Sequence, residues 1–530
     1  MRRVTRAVLA ILSGFLVFEA HTGDALAALV ALLPLFVALN LSERDGAQAP
    51  WSEQLGLAAL PWLVSGAHMW GLLLYRSDLF GVAVAYLAVT GALFAALARP
   101  FWRAPSLAIR VGGLTGAWVV TEAVRGCLDP GFPALLGGTV ADVPVLRALG
   151  AIGGPWLCGA ALAAGATLGV AGLDALLARR PLPREQVRGV LIGAAAVAFA
   201  CALVELVLWS DVRPLTASAE AGSDPDALRV NVVQTAVPDG VHRLAWTFER
   251  IQALIDADHQ TLLRAALTDA EPPEFIIFPE SSTGRRLPPG ADGEAVVADL
   301  LGAERWSAPT RVVFNATRML PAAPDAPPDA PDREDATMLW GWPPADARPR
   351  LLGAVAKRRL TPQAEPAYRP GTSWRPLEAG PDRLGVAVCW ESLYPDVAAR
   401  LVDEGATILV VTSNDAGQGR SAASAFHGRL TRMRAIETGR SLIYASQAGP
   451  SFVVGPDGRS IELAGLFEHT VSRVRVPRVT VDTPYQRIGR GWVVAFALLW
   501  AAALAAALAR RLLPPTPQVE LDPDAPPPEP

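Results

Sequence analysis

Three side chains, each just past an apolar run, have the chemistry of acyl transfer: Glu280 in EFIIFPESS, Lys357 in LLGAVAKRRL and Cys389 in RLGVAVCWES. A free thiol has a pKa of about 8.5 and is only a few per cent thiolate at pH 7, so a nucleophilic cysteine needs a base or a cation beside it. A glutamate can take the thiol proton and later serve an incoming nucleophile. A lysine ammonium can stabilise the thiolate and the oxyanion of a tetrahedral intermediate. Packed together, the three would titrate as a unit. Each also has a bland reading. A cysteine ending a strand is most often core, and a charge at a strand end is usually solvated.

The elements that must position them lie between residues 228 and 480. LRVNVVQTAV (228–237) reads as a strand, and a helical pattern over 242–267 places Leu244, Phe248, Ile251, Leu254 and Ile255 on one face. EFIIFPE (274–280) and TRVVFNATR (310–318) read as strands, with a helix over 293–304 between them. The proline-rich segment 321–335 has too few apolar residues to pack and reads as a mobile loop. Strands over 347–360 and 383–390 then deliver Lys357 and Cys389, and a helix follows SLYPD. A strand over 406–415, a helix over 422–438 and two strands joined by Gly455-Pro456-Asp457-Gly458 complete the series. The alternation predicts layered α/β structure, whose sites lie beyond strand C-termini.

The rest of the chain is of another kind. Of 530 residues, 51% are hydrophobic and 18% charged, and the apolar ones crowd the region before Trp209. A bilayer core needs about 20 apolar helical residues. Candidate spans lie near 5–20, 25–41, 54–75, 79–98, 106–124, 150–177 and 189–209, with another near 491–509. That is about seven spans before the soluble part and one after, the first two short enough for a re-entrant pair. The basic start and Ala25-Leu26-Ala27 resemble a cleaved leader, but the next apolar segment begins at once, so a retained span is the preferred reading.

Arg2, Arg3 and Arg6, Arg99, Arg103 and Arg110, Arg179, Arg180, Arg184 and Arg188, and Arg510 and Arg511 fall in alternate connections. By the positive-inside rule these face the cytoplasm, which places 210–488 outside it. TASAEAGSDPDA (216–227) reads as a polar linker. The predicted division is a membrane domain over 1–210, an exported catalytic domain over 228–480, a final span over 489–511 and a disordered cytoplasmic tail over 512–530. Of the four cysteines, Cys127, Cys158 and Cys201 lie in or beside spans, which leaves Cys389 alone in the exported part and argues against a disulfide framework. A net charge of −4 carries no sign of nucleic-acid binding.

Glu280, Lys357 and Cys389, in that order on an α/β chain, resemble the Glu-Lys-Cys triad of the nitrilase superfamily, and the flanking spans narrow the resemblance to the apolipoprotein N-acyltransferases. Trp118, Glu122, Arg125 and Gly131-Phe132-Pro133 are similar to that family's membrane pattern. VNVVQ (230–234), FPES (278–281), Lys357 with Glu365, CWES (389–392), TSND (412–415), HGRLTRMRAIETGRSL (427–442), GPDG (455–458) and TPYQRIGRGW (483–492) follow in family order. The resemblance implies an αββα sandwich carried by about eight transmembrane helices in a bacterial inner membrane, facing the periplasm. It implies a monomeric enzyme without cofactor or metal. Cys389 would take an acyl chain from a phospholipid, typically phosphatidylethanolamine, as a thioester, and pass it to the N-terminal amine of an S-diacylglyceryl-cysteine apolipoprotein. Glu280 would be the base and Lys357 the oxyanion stabiliser, supported by Glu365 and Glu391. Trp390 would pack beside the nucleophile or face acyl chains. A headgroup contact or a plain ion pair is open to Glu122 and Arg125.

The chain departs from the family in TPQAE (361–365), in Ala416-Gly417 after the Asn-Asp pair and in Gln447-Ala448 before the late glycine. These loops bear on substrate choice. Two rival readings are a membrane-tethered amidase using the same triad on water, and a lipid-binding scaffold whose site has lost its chemistry.

Overall fold

The computed structural model describes residues 2–44, 50–69, 77–104, 106–127, 132–179, 181, 183–268, 271–302, 305–306, 310–321, 327, 330–343, 348–361 and 365–512. The membrane part consists of α1 (Arg2–Thr22), α2 (Ala27–Arg44), α3 (Trp51–Ser65), α4 (Ser77–Ala98), α5 (Leu107–Cys127), α6 (Pro144–Leu177) and α7 (Arg184–Leu208). A helix α8 (Val212–Glu220) follows. It takes in residues 216–220 of the segment read as a linker, whose alanines favour helix.

Helix α6 breaks at Gly153 and Gly154 before Pro155. Gly154 has φ +59°, and a Cβ there would lie 2.5 Å from the Tyr485 ring, so both backbone and space require glycine.

The soluble part is two six-stranded sheets. One runs in the order β12-β1-β2-β3-β4-β5 and the other β11-β10-β9-β8-β7-β6. The strands are β1 (Leu228–Gln234), β2 (Phe275–Ile277), β3 (Arg311–Met319), β4 (Arg333–Gly341), β5 (Arg350–Ala356), β6 (Leu377–Ala379), β7 (Asp382–Val388), β8 (Ile408–Ser413), β9 (Ser441–Ser446), β10 (Ser451–Val454), β11 (Ser460–Ala464) and β12 (Thr470–Val476). In each sheet the three central-to-site strands, β1 to β3 and β7 to β9, are parallel.

The inner faces meet in one apolar layer that includes Val230, Ile277, Val313 and Leu339 from the first sheet and Val386, Val388, Val410 and Ile443 from the second. Outside the first sheet pack α10 (Glu249–Leu267) and α11 (Ala291–Leu301), preceded by the short α9 (Asp239–Ala245). Outside the second pack α12 (Pro395–Asp403) and α13 (Ala423–Thr438). The architecture is a nitrilase-like αββα sandwich. The chain ends through α14 (Pro484–Ile488) and α15 (Gly491–Leu512).

Among the described residues, six helices are long and apolar enough to cross a membrane: α1, α4, α5, α6, α7 and α15. The other two candidate spans are α2 and α3, of 18 and 15 residues, each with an internal proline. Helix α7 exposes Leu191, Ile192, Phe199, Leu206 and Val207 around its surface, an arrangement that only an apolar solvent satisfies.

Three sequence readings are corrected. The helix over 242–267 is two helices, parted at Trp246–Phe248, where Phe248 adopts extended geometry at the start of α10. The loop read over 321–335 is too long, because Arg333–Asp335 open β4, and this strand was not foreseen at all. It pairs with β3 and β5 on either side, and a strand buried by two neighbours need not alternate in polarity. Strands β6 and β12 were not read either, and β1, β2, β5, β7 and β8 are shorter than read, since the polar residues at their C-termini leave the ladder to form the site. The tail past Leu512 lies outside the described residues.

Candidate active site

Lys357 follows β5 directly, and its N–H donates to the Asp335 carbonyl at 2.8 Å. That bond ties the strand end to β4 and sends the side chain into the sandwich mouth, where it is fully buried. Its Nζ lies 2.7 Å from Glu365 Oε1, 3.3 Å from Glu280 Oε1 and 3.8 Å from Asp335 Oδ2. Glu365 Oε2 accepts the Thr361 N–H at 2.7 Å, which closes the loop carrying it. The residues between, Pro362, Gln363 and Ala364 of the TPQAE stretch, lie outside the described residues.

Glu280 follows β2 and precedes Ser281, whose φ is +62° and whose N–H donates to Asn315 Oδ1 at 2.8 Å. Asn315 Nδ2 donates in turn to Asp335 Oδ1 at 2.8 Å. Neighbouring strands thus fix the carboxylates around Lys357.

Cys389 occupies a tight elbow between β7 and a short helical turn over Cys389–Leu393, with φ +50°. A branched-Cβ-free side chain still pays strain there, of order 1–3 kcal/mol, unless the surroundings hold it. Glu391 does so from a fully buried position. It accepts from the Val388 N–H (2.8 Å), from the Arg358 and Arg359 N–H groups (2.7 and 3.1 Å) and from Arg358 Nε and Nη2 (3.1 and 3.0 Å). One carboxylate therefore joins the strand end that bears Lys357 to the one that bears Cys389. It touches the lysine's neighbours and not the lysine.

Trp390 donates Nε1–H to the Tyr394 hydroxyl at 3.1 Å and packs on Phe132, 5.1 Å between ring centroids. Phe132 stacks on Phe426 at 5.7 Å, and Phe426 lies 5.2 Å from His21 of α1. The membrane part thus reaches the residue next to the thiol. Glu122 and Arg125 prepare that contact. Glu122 Oε1 accepts the Leu136 N–H at 2.6 Å, and Arg125 donates to the Ala134 carbonyl at 3.4 Å and to Thr90 Oγ1 at 2.8 Å. The Arg125 guanidinium lies over the Trp62 ring at 3.7 Å. Both side chains are fully buried, so they brace the Phe132–Leu136 segment from inside the bundle rather than face a headgroup.

Asp335 was not singled out from the sequence; it hides at the end of the proline-rich stretch, and only the pairing of β4 brings it to the lysine. Asp415 and His427 also border the elbow, within 4.8 Å of the thiol sulfur. Both stand in motifs quoted above, where no role distinguished them. The altered Gln447 joins the segment that follows β1. Gln447 accepts from Thr235 Oγ1 at 2.5 Å, its Nε2 lies 2.8 Å from His242 Nε2, and its carbonyl accepts the Ala236 N–H at 2.7 Å.

Burial, then Glu280, pushes the Cys389 thiol well above its ordinary value, while Lys357 pulls the other way. Burial would depress the Lys357 ammonium, but Glu280, Glu365, Cys389 and Asp335 outweigh it and hold the group well above its usual range. Burial and the adjoining Glu280 push Asp335 up, against the pull of Lys357. Burial opposes ionisation of Glu391, yet Arg358 and the backbone donors hold it below the ordinary carboxylate value. The resting site is therefore a thiol beside a permanent cation and a base. Carboxylate oxygens of Glu280, Asp335 and Glu365 lie within 4.8 Å of one another, as a metal would require, but the Lys357 ammonium already bonds to that group.

Residues 339–484 match the family model for carbon-nitrogen hydrolases. The curated apolipoprotein N-acyltransferase of Caulobacter vibrioides is 28% identical over 440 residues, 76% of each chain. That of Azotobacter vinelandii is 28% identical over 499 residues, 88% of each chain. Among solved structures, Nit3 of Saccharomyces cerevisiae, a member of branch 10 of the nitrilase superfamily, is 16% identical, with 50% of this chain and 93% of that one covered and a TM-score of 0.37. The chain carries a carbon-nitrogen hydrolase domain and is related to apolipoprotein N-acyltransferases over most of its length.

Proposed function

We propose that this membrane protein, with its carbon-nitrogen hydrolase domain and its apolipoprotein N-acyltransferase relatives, is a lipoprotein N-acyltransferase of the bacterial inner membrane. The observation that carries the reading is the contact of Trp390, next to the thiol, with Phe132 of the membrane part. An amidase acting on soluble substrates has no use for a nucleophile joined to a helix bundle. An enzyme whose substrates are lipids does, because exposing acyl chains to water would cost about 0.8 kcal/mol per CH₂.

In the first half-reaction Glu280 takes the Cys389 proton, and the thiolate attacks the sn-1 ester carbonyl of a phospholipid, typically phosphatidylethanolamine. Lys357 stabilises the oxyanion. The intermediate collapses to a thioester, and the departing alkoxide takes the proton from Glu280 to leave a lysophospholipid. In the second half, the neutral N-terminal amine of an S-diacylglyceryl-cysteine lipoprotein attacks the thioester and Glu280 takes its proton. Collapse releases the thiolate, which is reprotonated, and an N-acylated lipoprotein. Glu365 holds the lysine, Glu391 holds the elbow, and Trp390 and Phe132 form the apolar approach.

The division into a membrane domain (1–210), a catalytic domain (228–480), a last span (489–511) and a cytoplasmic tail belongs to this reading, as does action as a monomer on the periplasmic face. Helix α1 supports the orientation. Its basic end pairs Arg6 with Glu53 at 2.7 Å, and His21 near its other end meets the catalytic domain, about 23 Å away at 1.5 Å per residue.

The test is expression of wild type and Cys389→Ala in a host depleted of its own N-acyltransferase, with lipoprotein N-terminal peptides weighed by mass spectrometry. Acylated amines are expected with wild type and free amines with the variant. Free amines in both would end the transferase reading.

A further inference from the structure

His427 and Asp415 stand in no step described so far, yet both are buried and both border the elbow. His427 lies on α13, and its Nδ1 is 2.9 Å from Asp415 Oδ1. Asp415 also accepts from Gln418 Nε2 (3.1 Å), the Tyr444 hydroxyl (2.8 Å) and the Ser446 hydroxyl (3.1 Å). A carboxylate with three other donors is ionised and has no proton to give. Nδ1 must therefore carry hydrogen.

The other ring nitrogen decides the matter. His427 Nε2 lies 3.1 Å from the Cys389 carbonyl oxygen and 3.0 Å from Ser392 Oγ. A carbonyl only accepts, so this contact is a hydrogen bond only if Nε2 also carries hydrogen. Ser392 has its own outlets, the Cys389 carbonyl at 2.9 Å and Thr431 Oγ1 at 2.8 Å, while Thr431 donates to the His427 carbonyl. The network is complete when the ring donates from both nitrogens.

We propose that His427, oriented by Asp415, is a positioning residue for the nucleophile: its Nε2–H holds the Cys389 carbonyl and so keeps the elbow in its positive-φ turn. Two consequences follow from the geometry. The peptide plane is fixed, and because it is planar and trans, the Trp390 N–H points away from His427, as a donor to an oxyanion above a nucleophile elbow must. The ring also lies within 4.8 Å of the sulfur, so the brace keeps the thiol in its place beside Lys357, Glu280 and Asp415. Tyr444 faces the same ring from β9, 3.1 Å from Nδ1, with its proton on Asp415.

The proposal deepens the acyl-transfer reading, but its thiol readout does not depend on that reading. The full-length protein in detergent is treated with iodoacetamide across the neutral-to-alkaline range, and the Cys389 peptide is followed by mass spectrometry. In His427→Ala the alkylation curve is expected to move to higher pH, and acyl-enzyme formation to slow by on the order of tenfold to a hundredfold with KM for the donor unchanged. His427→Gln, which restores an N–H donor, should recover part of the turnover and part of the curve. A folded His427→Ala whose curve superimposes on wild type overturns the proposal. Should that variant not fold, His427→Leu, which fills the ring's volume without a donor, carries the test: slowed acyl-enzyme formation supports the brace and wild-type turnover sinks it. A shifted curve in a protein that transfers no acyl chain, wild type included, would end the transferase reading and leave this one standing.

Discussion

At the scale of the residue, the site is governed by opposed charges around one thiol. Glu280 raises the Cys389 pKa and Lys357 lowers it, so their removal should act in opposite directions on the free thiol. Glu280→Gln is expected to make Cys389 alkylate faster at mildly alkaline pH while acyl transfer collapses, because the thiolate gains and the base is lost. Lys357→Met should slow both, with transfer down by about 10²–10³-fold from the lost oxyanion contact. Parallel alkylation and turnover assays check the pair of signs. A fall in alkylation for Glu280→Gln would show that the carboxylate is not what holds the thiol up.

At the scale of the element, Glu391 is the joint between β5 and β7. Glu391→Ala leaves Arg358 buried without its partner and should cost about 3–5 kcal/mol, read as a lowered unfolding transition in detergent. The pH dependence has a definite sign. The folded-state pKa of Glu391 is depressed, so its contribution is present above the unfolded value of about 4.3 and is lost as pH falls through the folded one. Unfolding measured from neutral to acid pH should therefore show a loss of stability in wild type that is smaller in Glu391→Gln. Equal acid loss in both proteins would place the sensitivity elsewhere.

At the scale of the whole molecule, the catalytic sandwich and the helix bundle share one apolar cluster, in which Phe426, Leu430 and Met433 of α13 meet Phe132, Leu136 and Leu146. The outer helix layer of the second sheet thus lies on the bundle rather than on water. Phe132→Ala should cost about 3–5 kcal/mol and slow acylation from lipid donors, while alkylation of Cys389 by a small reagent persists. Unchanged acylation would separate the joint from lipid delivery. Phe199 is 71% exposed on α7, so an arginine there would face lipid. Phe199→Arg is expected to disfavour insertion by about 2.5–3.5 kcal/mol, measured as a reduced membrane-inserted fraction in a glycosylation or protease-protection assay. Full insertion would mean that this helix does not face the bilayer.

What the sequence determined by itself were the properties that live in short stretches. Apolar runs long enough to span a bilayer marked the helices, β-branched runs marked β1, β3, β7, β8 and β9, and Glu280, Lys357 and Cys389 stood visibly at three strand ends. Strand β4 was not legible, because a strand flanked on both sides is recognised by its neighbours and not by its own polarity. Asp335 was lost with it. For Glu391 the resemblance implied support of the site without saying what it holds, and Glu122 and Arg125 stayed open between headgroup contact and ion pair, since a buried charge is told from a solvated one by the donors that reach it from elsewhere in the chain. Only the tertiary structure decided that Glu391 clamps two strand ends, that Phe132 reaches Trp390 from a residue more than 250 positions away, and that His427 meets the carbonyl of Cys389. Those contacts depend on register and packing across the fold, which no local spacing encodes.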